Sequence, residues 1–451
     1  GNMWRSTRIA VFLFVFILGI GHSSQGATGP VLINELMAAN SSTLADPQGQ
    51  FDDWVELYNP GDSLIDVAGL YLTDDLTSPT KWQIPTGMPN STRIPAKGFL
   101  VIWLDGDTVD PGLHASFRFD AGGDQIALFD KDGLTLLDHV VFKKQRSDIS
   151  FGRSPSGADD WRYMMLATPG NLNSVPYEGL VADTKFSLDR GFYDAPFEVS
   201  ITCKTPDATI YYTLDGSEPG SATGRLPKGT IYTGSILISK TTCLRARALK
   251  EGWLPSDVDT HTYLFLADAM TTTQAAVVAR GYPDKWFGSY PADYEMDPEV
   301  YNDPAYSNLM ADAMLAIPTL SLVTNKDHLF SQAKDPATGG IYIYTGHSST
   351  GGQDWERPVS AELFTADGAR EFQVDCGIRI QGGESRNPQK MPKHSFSLRF
   401  RGEYGSSRFE FPLFDRSPVD RFESLQLRGF FNNAWNHWAP DQRQCAQYIR
   451  D

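Results

Sequence analysis

Gly377–Phe400 reads GIRIQGGESRNPQKMPKHSFSLRF, and the reading of this stretch decides the fold of the region around it. Ile378 and Ile380 alternate as strand residues do, and the pattern breaks at Gly382-Gly383. A polar loop follows, and Phe396, Leu398 and Phe400 then return on one face of a second alternating segment. Period-2 alternation on both sides of a glycine-containing loop predicts a β-hairpin. Arg386, Lys390, Lys393 and His394 make the loop cationic, with Arg379 and Arg399 on the flanking strands. Backbone that permits close approach, next to fixed positive charge, suits a phosphate group. An ordinary solvated hairpin accounts for the same residues.

Three flanking segments accompany the hairpin: IPTLSLV at Ile317–Val323, WERPVSAELF at Trp355–Phe364, and LQLRGFFNNAWNHWAPDQRQCAQYIRD at Leu425–Asp451. In this order, together with GIRIQGGESR and KMPKHSF, they resemble the CotH kinase family, the spore-coat protein kinases and their relatives. The resemblance covers residues 317–451. It implies the β-rich N-lobe of an α+β kinase domain, a mostly antiparallel sheet over a nucleotide, with ATP and Mg2+ as cofactors and protein Ser/Thr hydroxyls as acceptors. Phosphoryl transfer needs cations on the phosphates, acidic ligands for magnesium and a group that positions the acceptor. Lys393 matches the lysine that the family places near the ATP phosphates, in KHSF where the family commonly has KKSF, so His394 replaces a second lysine. Arg379 (from the match to the strand before the glycine pair) and Arg428 (from LRGFFN) are the next phosphate contacts, with Gly382 and Gly383 beside them. Asn432, Asn433 and Gln442 are candidates for hydrogen bonds to nucleotide or substrate. The family's magnesium ligands lie further along than the helix that starts near Gln442. Asp441 and Asp451 fall in no recognisable metal motif, so catalytic residues are expected beyond Asp451, with none holding metal before it. The expectation is of a truncated domain that phosphorylates nothing by itself.

At 451 residues the chain is too long for one core and suggests two to four domains. Its 41% hydrophobic content is ample for packed domains and argues against general disorder. From Met3, the pair Arg5 and Arg8 precedes an apolar run, Ile9–Ile20, and small or polar residues follow to Ala27. That is the pattern of a secretory signal peptide over residues 1–27, cleaved near Gly26 or Ala27, and it predicts a secreted or cell-surface protein. The apolar run is short for a membrane span, a retained anchor being the alternative. Removing the segment takes away two arginines and no acid, which deepens the formal net charge of −16. So acidic a chain is ill suited to nucleic acid or an anionic membrane. Its expected partners are surface or secreted proteins, or polysaccharide. Cys203, Cys243, Cys376 and Cys445 have no CxxC spacing, which argues against a zinc cluster. Cys203 and Cys243 fall in one predicted domain, as a disulfide or as two buried thiols.

Residues 29–173 carry short strands with turn signals every eight to twelve residues, the pattern of an all-β sandwich. The order INE at Ile33–Glu35, WVEL at Trp54–Leu57, GFLVIW at Gly98–Trp103 and LFD at Leu128–Asp130 resembles the lamin-tail domain, an Ig-like sandwich. Trp54, Trp82 and Trp103 read as core residues. Asp52-Asp53, Asp74-Asp75, Asp105 and Asp107 offer oxygens to Ca2+, solvated turns being the other explanation. In residues 186–265, IYYTLDGSEP and LRARALKEG resemble the accessory β-sandwich at the C-terminus of chitobiases and hexosaminidases. Asp189, Asp215 and Glu218 there read as turn residues rather than a glycosidase pair, and Tyr211, Tyr212 and Tyr232 as core rather than a sugar-stacking face. Residues 266–316 form an irregular linker with one helix over Asn308–Ala316. In 317–451, strands are expected at Thr319–Val323, Ile341–Tyr344, Val359–Phe364 and Phe422–Leu427, with helices at Asp327–Gln332 and Gln442–Ile449. The chain is thus expected to be mainly β: two Ig-like β-sandwiches followed by the N-lobe of a CotH-type domain. No P-loop, HRD/DFG set or GxSxG elbow is present. The functional expectation is an exported atypical kinase, with a non-catalytic adhesion or scaffold protein, possible carbohydrate binding included, as the alternative.

Overall fold

The computed structural model describes residues 30–220, 228–286, 290–342, 353–387, 393–405, 407–414 and 416–429. The chain is mainly β with a few short helices, and its strands fall into three groups. Among the described residues no helix is long and apolar enough to cross a membrane.

The first group is a two-sheet sandwich. A six-stranded sheet is centred on Leu32–Met37, Asp53–Tyr58 and Phe99–Leu104, and a four-stranded sheet on Leu136–Lys143 and Gly123–Phe129. Ile33, Leu36, Val55, Leu57 and Ile102 of one sheet meet Ile126, Leu128, Val140 and Phe142 of the other in a core with almost no exposure. Trp82 joins that core, while Trp54 and Trp103 pack with Met37 in a second cluster on the outer face. All three tryptophans are buried, as the sequence suggests. Asp138 ties the sheets together: Arg153 donates both Nη2 bonds to its carboxylate at 2.9 Å, and the Ile33 amide donates at 2.8 Å.

The second group has a five-stranded sheet in which Asp259–Leu264, Thr242–Leu249 and Thr209–Thr213 are adjacent, with two two-stranded ribbons beside it. Val199, Ile201, Ile236, Ile238, Leu244 and Tyr263 form its core. Tyr212 and Tyr232 pack against that core. Cys203 and Cys243 are free thiols, and burial pushes the Cys243 thiol up to about 11. The Asp215 carboxylate accepts bonds from the Ser217 amide and hydroxyl at 3.0 and 2.6 Å, so it serves a turn.

The third group is one antiparallel five-stranded sheet in the order Thr319–Val323, Arg357–Phe364, Glu371–Gln381, Ser395–Arg399 and Ser424–Leu427. The hairpin read from the sequence is its centre, with Ile378 opposite Leu398 and Ile380 opposite Phe396. Short helices occupy Met310–Leu315, inside the predicted Asn308–Ala316, and Lys326–Phe330, which overlaps the predicted Asp327–Gln332 but starts one residue earlier and ends two residues earlier. No strand forms at Ile341–Tyr342, because their amides donate to His328 and Leu329 carbonyls and hold the chain in a turn. Residues 343–344 and the predicted Gln442–Ile449 helix lie outside the described residues.

The second and third groups are joined through Glu362, whose side chain is fully buried. It accepts from Arg190 Nε at 2.9 Å, the Thr262 amide at 3.2 Å and the Thr262 hydroxyl at 2.6 Å. Breaking a buried ion pair by deleting one partner typically costs about 3–5 kcal/mol. Glu362→Ala is therefore expected to split a shared denaturation transition of these two groups into two, followed by urea melting with proteolysis as a second probe. A second prediction concerns Glu56, whose carboxyl burial raises from its ordinary 4.5 to about 8, opposed by donated bonds from Asn34 and Gly170. The unfolded chain releases this proton near pH 4.5 while the folded chain keeps it to near 8. Stability is thus full below the lower value and falls between them, by on the order of 1 kcal/mol per pH unit. Glu56→Gln should flatten the decline of the urea midpoint from pH 5 to pH 8.

Candidate functional site

The end of the third sheet carries a cleft of about 580 Å³. Trp286, Tyr294, Phe330 and Tyr342 line it together with Lys393 and Arg428. The aromatic wall is a contact network: Trp286 lies 5.3 Å from Tyr342, and Phe330 lies 4.9 Å from Tyr342, centroid to centroid. Trp286 Nε1 donates to the Tyr294 hydroxyl at 3.1 Å, which donates to the Pro283 carbonyl at 3.0 Å. The polar tips of Trp286 and Tyr294 are thereby fixed, and these rings hold their positions. Burial of Tyr342 pushes its hydroxyl well above the ordinary tyrosine range.

Two sequence segments supply the cations. The pairing of Phe396 with Leu427 aligns the start of one strand with the end of the other, so Lys393 and Arg428 emerge at the same sheet edge. Gly429 makes this approach possible: its amide donates to the Ser395 hydroxyl at 2.7 Å, and a Cβ there would collide with the Lys393 carbonyl. His394, between the lysine and the strand, is buried, with Nε2 3.0 Å from the Arg386 carbonyl and its ring 4.9 Å from Tyr342. It braces the loop from within.

The remaining predicted residues are elsewhere. Alternation puts Ile378 and Ile380 in the core, so Arg379 projects from the opposite face. There its Nε meets Glu356 Oε2 at 2.5 Å, and Arg401 Nε approaches Glu356 Oε1 at 3.1 Å. Arg379 is thus committed to a buried carboxylate and does not line the cleft. Gly382, at φ +101, turns the strand end into the short 3-10 segment Glu384–Arg386, and neither it nor Gly383 lines the cleft. Lys390, Asn432, Asn433, Gln442 and Asp441 lie outside the described residues. Sequence reasoning missed the aromatic wall because Trp286 and Tyr294 belong to the segment read as a linker.

In the first sandwich, Asp74 pairs with Lys81, Asp75 accepts from Thr77, and Asp107 accepts from the Val109 amide. These three serve turns. Asp52 and Asp105 instead converge with Asp46 and His114, two residues that the sequence gave no reason to group with them.

Residues 24–144 match the family model of the Lamin Tail Domain, and residues 188–260 match that of the Chitobiase/beta-hexosaminidase C-terminal domain. The chain is therefore a multidomain β-sandwich protein, similar to these domains over its first two strand groups. The third group lies outside both matched stretches. No curated protein matches the chain.

Gly377 sits against Glu356, and a Cβ at this position would collide with the Glu356 carboxylate. Gly377→Ala is expected to push Glu356 away from Arg379 and Arg401 and to cost about 2 kcal/mol or more, as overpacking and a disrupted buried pair do. A denaturant midpoint unchanged from the parent would contradict this arrangement.

Proposed function

We propose that the chain is an exported multidomain protein whose two β-sandwiches attach it to a surface or to a protein or polysaccharide partner, and whose third unit is a CotH-type lobe that binds ATP. The observation that carries this reading is the meeting of Lys393 and Arg428, from two separate family-like motifs, at one aromatic-walled cleft. The cations suit a polyphosphate, and the rings suit a purine base. In the full family scheme, bound ATP supplies the phosphoryl group that passes to a Ser or Thr hydroxyl. Magnesium would need carboxylates, and among the described residues Asp293 is the one acid lining the cleft. The supported step is accordingly nucleotide binding. Arg379, held by Glu356, takes no part in it.

A non-catalytic scaffold is the second reading, favoured by the Glu362 junction that fixes the third unit to the second. Titration of the purified chain with a fluorescent ATP analogue separates the two. Binding that weakens about 10–100-fold in Lys393→Ala and Arg428→Ala, the range of a lost charge-assisted hydrogen bond, supports the nucleotide cleft. Arg379→Met should leave affinity unchanged. No saturable binding by the parent protein would leave the scaffold reading in its place.

A further inference from the structure

We propose that Asp46 and His114, with Asp105 bracing the imidazole and Asp52 beside them, form a binding site for a zinc-class divalent cation in the first sandwich. The three residues come from separate places: the loop between Leu32–Met37 and Asp53–Tyr58, the end of Phe99–Leu104, and the edge strand His114–Ala115. That edge strand runs parallel to its neighbour, with His114 opposite Trp103, which brings the imidazole to the end of the strand that delivers Asp105. One potential ligand atom from each residue lies within 4.8 Å of the other two. Asp105 holds the imidazole by its far nitrogen, so the atoms left for an ion are His114 Nε2, Asp46 Oδ2 and Asp52 Oδ2.

Burial makes the arrangement informative. Asp46, Asp105 and His114 are 6%, 5% and 3% exposed. His114 Nδ1 lies 2.6 Å from Asp105 Oδ2, which fixes the proton on Nδ1 and leaves Nε2 as a lone pair. That Nε2 has no hydrogen-bond partner, and neither do Asp46 Oδ2 and Asp52 Oδ2, although all three atoms are shielded from solvent. Asp46 uses its other oxygen on the Gln48 and Gln50 amides, at 2.9 and 2.7 Å, and Asp105 uses its other oxygen on the Asp107 amide at 2.9 Å. The nearby cation, Arg118, spends its Nε on the Asp105 backbone carbonyl. Buried acceptors without donors are rare in native proteins, and a cation satisfies several of them together. Space beside the imidazole is kept by Gly112, where a Cβ would stand 2.9 Å from Nε2.

The donor set selects the ion. An all-oxygen cage suits Ca2+, whereas an imidazole braced by a carboxylate on its far nitrogen, together with carboxylate oxygens, suits zinc. The calcium expected from the aspartates alone is thereby displaced by His114.

The test is equilibrium dialysis of the EDTA-stripped full chain against Zn2+, with bound metal quantified, and with Ca2+ as competitor. The expected result is about one zinc per chain, retained against a hundredfold excess of calcium. His114→Gln and Asp46→Asn should each weaken zinc by about 100-fold or more, and Asp105→Asn by about 10–100-fold, while Asp107→Asn changes nothing. Circular dichroism reports whether each variant folds. Should a variant unfold, the parent chain decides alone, since retention of less than about one-tenth of an ion overturns the site. Zinc binding untouched in folded His114→Gln and Asp46→Asn, or calcium displacing zinc at equal concentration, also overturns it.

Discussion

A carboxylate with no exposure to solvent, Glu362, sits where two sheets meet. Taking such a charge out of water costs several kcal/mol, and that cost is offset only if every lone pair finds a donor in good geometry. Arg190 and Thr262 supply those donors from the second unit, and Ser321, opposite Glu362 in the sheet, shares the Thr262 hydroxyl at 2.8 Å. The outer face of the third sheet is consequently polar yet buried at Ser360 and Glu362. Asp375, close by on the next strand, extends the pattern: burial raises its carboxyl, while Arg245 of the second unit and the Ser360 hydroxyl oppose the rise. A polar junction of this kind is directional in a way that an apolar one is not. It constrains the angle and register of the two units more strongly than it adds to their stability.

That constraint explains how a sheet can have one face in its core and the other against a neighbour. Period-2 alternation places Ile378, Leu398 and Ile380 inward and leaves Arg379 to the outer face. Glu356, one residue before the partner of Ile378, lies on that same face and neutralises the arginine. The inward face meets the aromatic cluster at its open end, where the sheet stops and Lys393 and Arg428 emerge. Charge on the outer face is thus committed to structure, while Lys393 and Arg428 stand at the sheet edge beside the cleft.

Much of this was legible in the sequence, and the failures share a cause. The hairpin, the buried tryptophans and the Asp215 turn follow from local patterns, since alternation and turn chemistry act over a few residues. Arg379 was grouped with Lys393 by the family match to the strand before the glycine pair, although its position between Ile378 and Ile380 already directed it to the other face. Tyr342 was read as a strand residue because a β-branched and aromatic run favours one. The amides of Ile341 and Tyr342 are claimed instead by carbonyls of the preceding helix, a tertiary competition invisible to propensity. The aromatic wall and the Asp46–Asp105–His114 cluster are assembled from segments with no common motif. Tertiary packing brings each together.

The same logic distinguishes the two candidate ligand sites. At the cleft, the groups are held by partners: the Tyr294 hydroxyl is occupied and the His394 ring is braced. In the first sandwich the reverse holds, because the groups point inward at one another with acceptors unmatched. A surface cleft built this way tolerates an empty state, since water satisfies exposed cations. A buried cluster of acceptors has no such recourse, and folding places His114 Nε2 and Asp46 Oδ2 where solvent does not reach. The free energy of filling that site is therefore linked to the stability of the first sandwich itself.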